Sequence, residues 1–112
     1  MPSAETVVCL YRVRPGCEDQ FAGLLARHWP TLRELGLATD ARPRHYRGAE
    51  HDGRPLFVEI FEWVDGKAAD HAHQHPEVAA IWEPMDALTE AREGRPNMEF
   101  PHVRPIEIVP AA

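Results

Sequence analysis

Cysteine is scarce in this sequence, and acidic residues outnumber basic ones. The 112 residues include only Cys9 and Cys17, with no CxxC pair, so we expect no disulfide framework and a reduced, cytoplasmic setting. The formal net charge is −6, and a negative field repels phosphate backbones and anionic membranes. We therefore predict neither a nucleic-acid partner nor a membrane partner.

Long apolar runs and the familiar nucleotide and hydrolase motifs are also missing. No stretch approaches the ~20 apolar residues that span a bilayer, and the first residues lack the pattern of a signal peptide. The sequence contains no GxGxxG, P-loop or GxSxG motif, so nucleotide binding and serine hydrolysis have no support. The hydrophobic content of 44% suffices for one core, and we predict a single domain over residues 1–112.

Four segments have the composition of β-strands, rich in β-branched and aromatic residues or bounded by turn signals. Segments 6–13 and 55–64 carry apolar residues on both faces, which predicts strands that are covered on both sides. Prolines weaken the other two segments and favour edge positions, since proline cannot donate a ladder hydrogen bond. The four predicted strands are residues 6–13, 41–50, 55–64 and 98–109.

The first helix is predicted between strands one and two. It begins near Cys17 or Glu18 and carries an apolar stripe from Phe21 to Leu35, which includes His28. Gly36 is a natural stop signal after the last turn. Pro30 lies inside this pattern, so we expect it to kink the helix or divide it in two.

A second helical region follows the third strand. Residues 67–75 can form a short helix, Pro76 suits the first turn of a new one, and Gly94 with Pro96 would end it. The element order is β-α-β-β-α-β, which is the ferredoxin-like α+β plan. Two helices cover only one face of a four-stranded sheet, so the second apolar face predicts a homodimer.

The end of the third predicted strand carries a further pattern of aromatic residues. Phe61-Glu62-Trp63 is followed, after twelve residues, by Pro76 and an amphipathic helix. With the length and the element order, this pattern resembles the antibiotic-biosynthesis-monooxygenase superfamily of dimeric α/β barrels over residues 6–109. The resemblance implies a paired-sheet barrel with a pocket between the sheet and the helices of each subunit.

The resemblance also implies a range of activities. Some members of the superfamily oxidise polycyclic phenols without metal or flavin, others degrade haem, and many have no assigned activity. Haem-degrading members carry an asparagine on the first strand, and residues 6–13 contain none. Oxidation without a cofactor is therefore favoured over haem degradation.

Three histidines after the third strand are candidates for chemistry. The superfamily places its pocket histidine between His71 and His73, and we assign it to His71, which shares a helical face with His75. A histidine can take a phenol proton or hydrogen-bond a ligand, whereas the alternative is a structural role. His71 and His75 can also bind a metal ion, but no third ligand is indicated and we predict no metal.

Glu59 interrupts the apolar face of strand three. A raised pKa would make Glu59 a candidate catalytic base beside His71. The alternative, which is the simpler account, is a solvated strand end or an ion pair across the sheet, in which Arg12, Arg44 or Arg47 pairs with Glu59 or with Glu62 on the same strand.

Aromatic and polar side chains near these residues predict a ligand pocket. Trp63 and Trp82 would line this pocket and stack on a flat ligand, although packing in the core is the simpler account of both residues. His28, Tyr11 and His75 are the further candidates for ligand contact.

The resemblance and these residues together imply two functions as hypotheses. The first is a cofactor-independent monooxygenase that acts on a small aromatic or quinol-like compound. The second is a non-catalytic ligand-binding or stress-response protein with the same pocket.

Overall fold

The structure is a computed structural model that describes residues 3–112. Met1 and Pro2, with which the predicted domain begins, lie outside the described residues. Helices α1 to α3 and strands β1 to β5 follow one another along the chain as β1 Glu5–Tyr11, α1 Glu18–Glu34, β2 Arg44–Ala49, β3 Pro55–Trp63, α2 Ala68–Ala72, α3 Pro76–Ala87, β4 Met98–Glu99 and β5 His102–Val103.

The strands form one antiparallel sheet in the order β2-β3-β1-β4, and β5 also pairs with β1. β1 and β3 lie at the centre, and their register places Cys9 opposite Glu59 and Tyr11 opposite Phe57. The predicted ferredoxin-like α+β class is confirmed.

The helices cover one face of this sheet. Side chains alternate along a strand, and in β1 and β3 every second residue is buried. Glu18 and Asp19 stabilise the first turn of α1, where the helix dipole favours negative charge. α1 packs its apolar stripe on the sheet because its buried positions recur every three to four residues. The buried residues of β1 and β3 on this face are Val7, Cys9, Tyr11, Phe57, Glu59, Phe61 and Trp63.

The opposite face of the sheet has no helix against it in the described chain. Val8 and Leu10 of β1 and Val58 and Ile60 of β3 share this face, and each is only partly buried. Tyr46 of β2 lies opposite Val58 and is 51% exposed. We call this surface the open face; burying it would remove a contiguous apolar area from water.

α1 passes through Pro30 as one helix, so the alternative in which Pro30 divides it is wrong. Proline removes the hydrogen bond to the carbonyl of Ala26, but both residues are exposed, and water can satisfy that carbonyl. Gly36 adopts a φ of +76° just after the C-cap Leu35, as predicted for a helix stop.

α3 ends at Ala87, several residues before the predicted stop at Gly94 and Pro96. The Thr89 hydroxyl donates to the Met85 carbonyl oxygen at 2.9 Å, which closes the last turn. The chain then carries the fully buried Arg92 back to the sheet, where its guanidinium donates to the carbonyl oxygen of Pro55 and to Glu50. Continuing the helix would break these bonds.

The predicted last strand, 98–109, is interrupted near Pro101 as its prolines indicated, but it ends earlier than predicted. Two short pairings, β4 and β5, replace it, and residues 104–112 form no strand. Pro101 and Pro105 supply no N–H to a ladder, although the Pro101 carbonyl accepts a bond from the Val8 N–H at 2.9 Å. Beyond β5, the tail exposes Ile106 and Ile108.

Candidate functional site

An apolar cavity of about 210 Å³ lies between the helix-covered face of the sheet and the α2–α3 segment. Strands β1 and β3 supply its floor, and the β4–β5 segment closes one side. Its wall, as the described residues define it, contains no carboxylate. The lining residues are Val7, Cys9, Tyr11, His28, Phe61, Trp63, Ala69, His73, Trp82, Met85, Met98, Phe100 and His102.

Exposed side chains mark the mouth of the cavity. His73, just after α2, is exposed and packs edge-on against Trp82 with ring centroids 4.8 Å apart. Phe100 and His102 lie in the β4–β5 segment and are also exposed. His102 Nδ1 lies 2.7 Å from Glu5 Oε2. Imidazoles therefore flank an otherwise aromatic opening.

Glu59 is the buried charge behind the cavity wall. Its carboxylate, with no exposed surface, is bonded by three side chains from three different elements. The Tyr11 hydroxyl donates to Oε1 at 2.8 Å, His28 Nδ1 lies 2.8 Å from the same oxygen, and His45 Nε2 lies 2.8 Å from Oε2. A buried carboxylate is tolerated when it is hydrogen-bonded in this way.

The hydrogen-bond directions assign the tautomer of His28. An indole N–H can only donate, and Trp82 Nε1 donates to His28 Nε2 at 2.8 Å. His28 Nε2 therefore carries a lone pair, and the proton is on Nδ1, from which it is donated to Glu59. Tyr11, His28 and Trp82 thus place a chain of bonds along one cavity wall, ending at a buried negative charge.

The environment shifts the pKa of these groups in opposite directions. Burial raises the pKa of the Glu59 carboxyl, but the hydrogen bonds from His28, His45 and Tyr11 outweigh burial and lower the pKa from 4.5 to about 2. Burial, with the nearby Glu59 charge, raises the pKa of the Cys9 thiol, and burial likewise raises that of the Tyr11 hydroxyl. Glu59 is therefore ionised at neutral pH, while Cys9 and Tyr11 keep their protons.

These values correct the expectation for Glu59. A carboxylate with a lowered pKa and three donors accepts a further proton poorly, so the raised pKa that would make Glu59 a base is wrong. The arginine partners are also wrong for Glu59, whose ion-pair partners within residues 3–112 are His28 and His45. Arg12 pairs instead with Glu50 and Glu99, and Arg47 with Glu18. The arrangement suits Glu59 to orient His28.

The structure brings together most of the predicted ligand-contact residues. Trp63, Trp82, His28 and Tyr11 all line the cavity. Whether they bind a ligand stays a prediction.

His71 and His75 lie elsewhere, and the prediction that His71 is the pocket histidine is wrong. Both line a shallow surface depression beside Leu35 and Val64, whereas His73 reaches the cavity. Ala69 and His73 lie four residues apart and face the cavity together, and His71 points to another side of the turn. The spacing from Trp63 and Pro76 allowed either His71 or His73 to face the pocket. The side of α2 that is buried determines that His73 does.

A metal site at His71 and His75 gains no support from the geometry. Within residues 3–112, no group of three or more histidine, cysteine or acidic side chains is placed to hold a metal ion. In the polar cluster around Glu59, each histidine already has a hydrogen-bond partner.

His45 is the functional candidate that sequence reasoning missed. It lies in the polar edge strand β2, directly opposite Glu59 of β3. A signal was present, since the turn around Gly53 sets the register of the β2–β3 hairpin and directly paired residues share a face. The basic composition of β2 directed attention to its arginines instead.

Solved structures with the same fold support the resemblance noted from the sequence. SnoaB, a cofactor-independent oxygenase from Streptomyces nogalater, matches 97% of this chain and 99% of its own at 20% identity, with a TM-score of 0.68. A conserved protein from Methanosarcina mazei Go1 matches 91% and 92% at 16% identity, with a TM-score of 0.66. A dimeric ferredoxin-like protein of unknown function from Jannaschia sp. CCS1 matches 91% and 99% at 17% identity, with a TM-score of 0.63.

At these identities the comparisons show the fold alone, and they confirm the ferredoxin-like α+β fold of the chain. No protein-family model matches the sequence, and no curated protein matches it. No helix of the described chain is long and apolar enough to cross a membrane.

The lowered pKa of Glu59 predicts how acid affects stability. Because the folded-state pKa lies below the unfolded value of 4.5, the carboxylate stabilises the fold above that pH, and this stabilisation is lost as the pH falls towards about 2. We expect the stability advantage of the wild type over Glu59→Gln to shrink by roughly 3 kcal/mol between about pH 5 and about pH 2. Urea denaturation at each pH measures it.

The matched control is Glu83→Gln, at an exposed carboxylate of α3. Its difference from the wild type should stay nearly flat over the same range. An advantage of the wild type over Glu59→Gln that grows on acidification would contradict the assigned charge.

Proposed function

We propose that this protein is a cofactor-independent monooxygenase that acts on a small phenol or quinol-like compound in the apolar cavity. The observation that carries the proposal is the Glu59–His28 pair: His28 lines the cavity, and the buried Glu59 carboxylate behind it accepts the hydrogen bond from the Nδ1 proton of His28. This arrangement leaves Nε2 as a proton acceptor next to an apolar, aromatic space. The oxygenase named among the solved structures supports the reaction class by fold alone.

The size of the cavity selects a small ligand. A dry apolar cavity of about 150 Å³ holds benzene, and this cavity measures about 210 Å³. A substituted single ring or a pair of fused rings fits that volume, whereas larger polycyclic compounds exceed it. Trp63 and Trp82 offer flat faces for such a ring.

His28 acts as the base in this proposal, in place of His71. A phenolic hydroxyl replaces the Trp82 indole N–H at His28 Nε2 and transfers its proton there. The resulting imidazolium lies between the phenolate and Glu59, so the two negative charges are separated by a positive one. Tyr11 and His45 keep Glu59 in place during the transfer.

The overall reaction balances without an external reductant. A phenol with a free para C–H reacts with O₂ to give a para-quinone and water, and the substrate supplies all four electrons. One oxygen atom forms the new carbonyl and the other leaves as water. Deprotonation by His28 raises the electron density of the ring, which is the step that the protein can assist.

The assembly that we propose is a homodimer formed through the open face. Val58, Ile60 and Leu10 would leave water when two sheets pack together, and Val103 of β5 adds to the same surface. One structural neighbour is described as dimeric, which supports this assembly. Two free thiols, Cys9 and Cys17, are compatible with the cytoplasmic setting expected from the sequence.

A non-catalytic binding protein is the second candidate function. The bonds of His28 are all satisfied within the chain, and Trp82 occupies the nitrogen that would act as base. If Trp82 never yields this position, the cavity binds apolar compounds without reaction. Such a protein would show thermal stabilisation by ligands without oxygen uptake.

Replacing His28 tests the catalytic proposal. Glutamine at this position can donate to Glu59 and accept from Trp82, but it does not take up a proton at neutral pH. With one- and two-ring phenols such as 1-naphthol, we expect wild-type oxygen uptake with one quinone formed per O₂, and a kcat lower by about 10²- to 10⁴-fold in His28→Gln. An oxygen electrode and quinone absorbance measure both.

His71→Ala is the control, since His71 lies outside the cavity. It should retain the wild-type rate. Equal rates in the wild type and His28→Gln, or a loss of activity in His71→Ala alone, would contradict the assigned roles.

A charge on the open face tests the homodimer. Val58 lies in the middle of β3, and lysine there would place an unpaired cation in the proposed interface. Light scattering after gel filtration should give twice the 12.7 kDa chain mass for the wild type and a single chain mass for Val58→Lys. Gln20→Lys, at an exposed position of α1, should remain dimeric. A monomeric wild type at micromolar concentration would exclude the interface.

A further inference from the structure

His45 connects the buried network to solvent. Its Nε2 lies 2.8 Å from Glu59 Oε2, and its side chain is 40% exposed while that of Glu59 is 0% exposed. The other two donors, Tyr11 and His28, are buried and both bond Oε1. Oε1 therefore bonds to the two buried donors that line the cavity, and Oε2 bonds to the donor that reaches the protein surface.

We propose that His45 is a positioning residue of the site. It holds the Glu59 carboxylate against His28, and it makes the strength of His28 as a proton acceptor depend on the pH of the solvent. This inference rests on the proposed function only for its catalytic consequence. The coupling itself concerns residues of this chain with or without a substrate.

The positioning follows from the division of the hydrogen bonds. Within the described residues, His45 is the donor to Glu59 Oε2. Without it, a buried anionic oxygen loses its partner, and the carboxylate must rotate or admit water to recover one. Rotation would withdraw Oε1 from the Nδ1 proton of His28.

The pH coupling follows from charge. Histidine is the side chain that gains a proton between about pH 5 and 8. When His45 is protonated, its positive charge offsets the negative charge of Glu59, and His28 is then a weaker proton acceptor. When His45 loses its proton, the full carboxylate charge acts on His28, so the base is strengthened as the pH rises.

The other charged groups nearby do not account for such a response near neutrality. Glu59 is faced by Cys9 and Tyr11 of β1 and by His28 of α1; the thiol and the hydroxyl both have a raised pKa and stay protonated. The charged groups that line the two surface depressions containing His45 are Arg33, Asp40, Arg42 and Arg47. Arginine stays charged, and Asp40 is paired with Arg33 at 2.8 Å.

Two substitutions separate positioning from pH coupling. His45→Gln keeps an N–H that can reach Glu59 but cannot ionise, whereas His45→Phe keeps a ring and removes the donor. His51→Gln, at an exposed histidine of the β2–β3 turn, is the control. The readout is the NMR signal of the His28 Nδ1 proton in ¹⁵N-labelled protein, followed between about pH 5 and 8.

In the wild type and in His51→Gln, we expect the His28 Nδ1 signal to shift with pH over this range. In His45→Gln the signal should remain but lose this pH dependence. In His45→Phe the proton should exchange with solvent roughly tenfold faster, because a buried charge-assisted bond has been lost.

An identical pH response in the wild type and His45→Gln would overturn the coupling, and unchanged exchange in His45→Phe would overturn the positioning role. If His45→Phe does not fold, His45→Gln decides the coupling and the small donor variant His45→Asn, too short to reach Glu59, replaces the phenylalanine variant. These results need no substrate. Absent oxygen uptake would therefore reject the proposed function and leave this inference standing or falling by the NMR data.

Discussion

Burying one ionised carboxylate in an apolar sheet constrains everything around it. Glu59 lies in the central strand β3 with no exposed surface, and an unpaired charge there would cost several kcal/mol. Donors from β1, α1 and β2 meet this requirement together. The position of α1 over the sheet is thereby tied to the register of two strands, so the packing of the domain and the geometry of the site depend on the same atoms.

The cavity is the counterpart of that constraint. α1 turns His28 towards Glu59, and α3 brings Trp82 to the other nitrogen of the same ring. These bonds orient the imidazole and, while no ligand is bound, the indole beside the space lined by Trp63 and Phe61. One wall is therefore polar and the rest of the volume apolar, which is a suitable arrangement for a small flat ligand.

Much of the fold followed from local patterns. The two-sided strand 55–64, the stripe of α1 and the stop at Gly36 were visible because each depends on nearby residues. The end of α3 was not, since it depends on Arg92 reaching a distant part of the sheet. The aromatic walls of the cavity were also foreseeable, because Trp63 lies at the end of the two-sided apolar strand 55–64.

The site itself depended on contacts that periodicity does not specify. The choice between His71 and His73 required the burial of a five-residue helix, which the sequence leaves free to rotate. His45 required the exact pairing of a polar hairpin, and its partner was sought among arginines. The pKa of Glu59 followed neither from burial nor from charge alone, because three hydrogen bonds lower it by more than burial raises it.

The charge on Glu59 is the quantity on which the account depends, and the ¹³C chemical shift of its carboxyl carbon measures that charge directly. A pH titration of selectively labelled protein should show the ionised form from neutral pH down to about pH 3, with a midpoint well below the ordinary value of 4.5. A midpoint above 4.5, or a carboxyl group that is already protonated at neutral pH, would contradict the account.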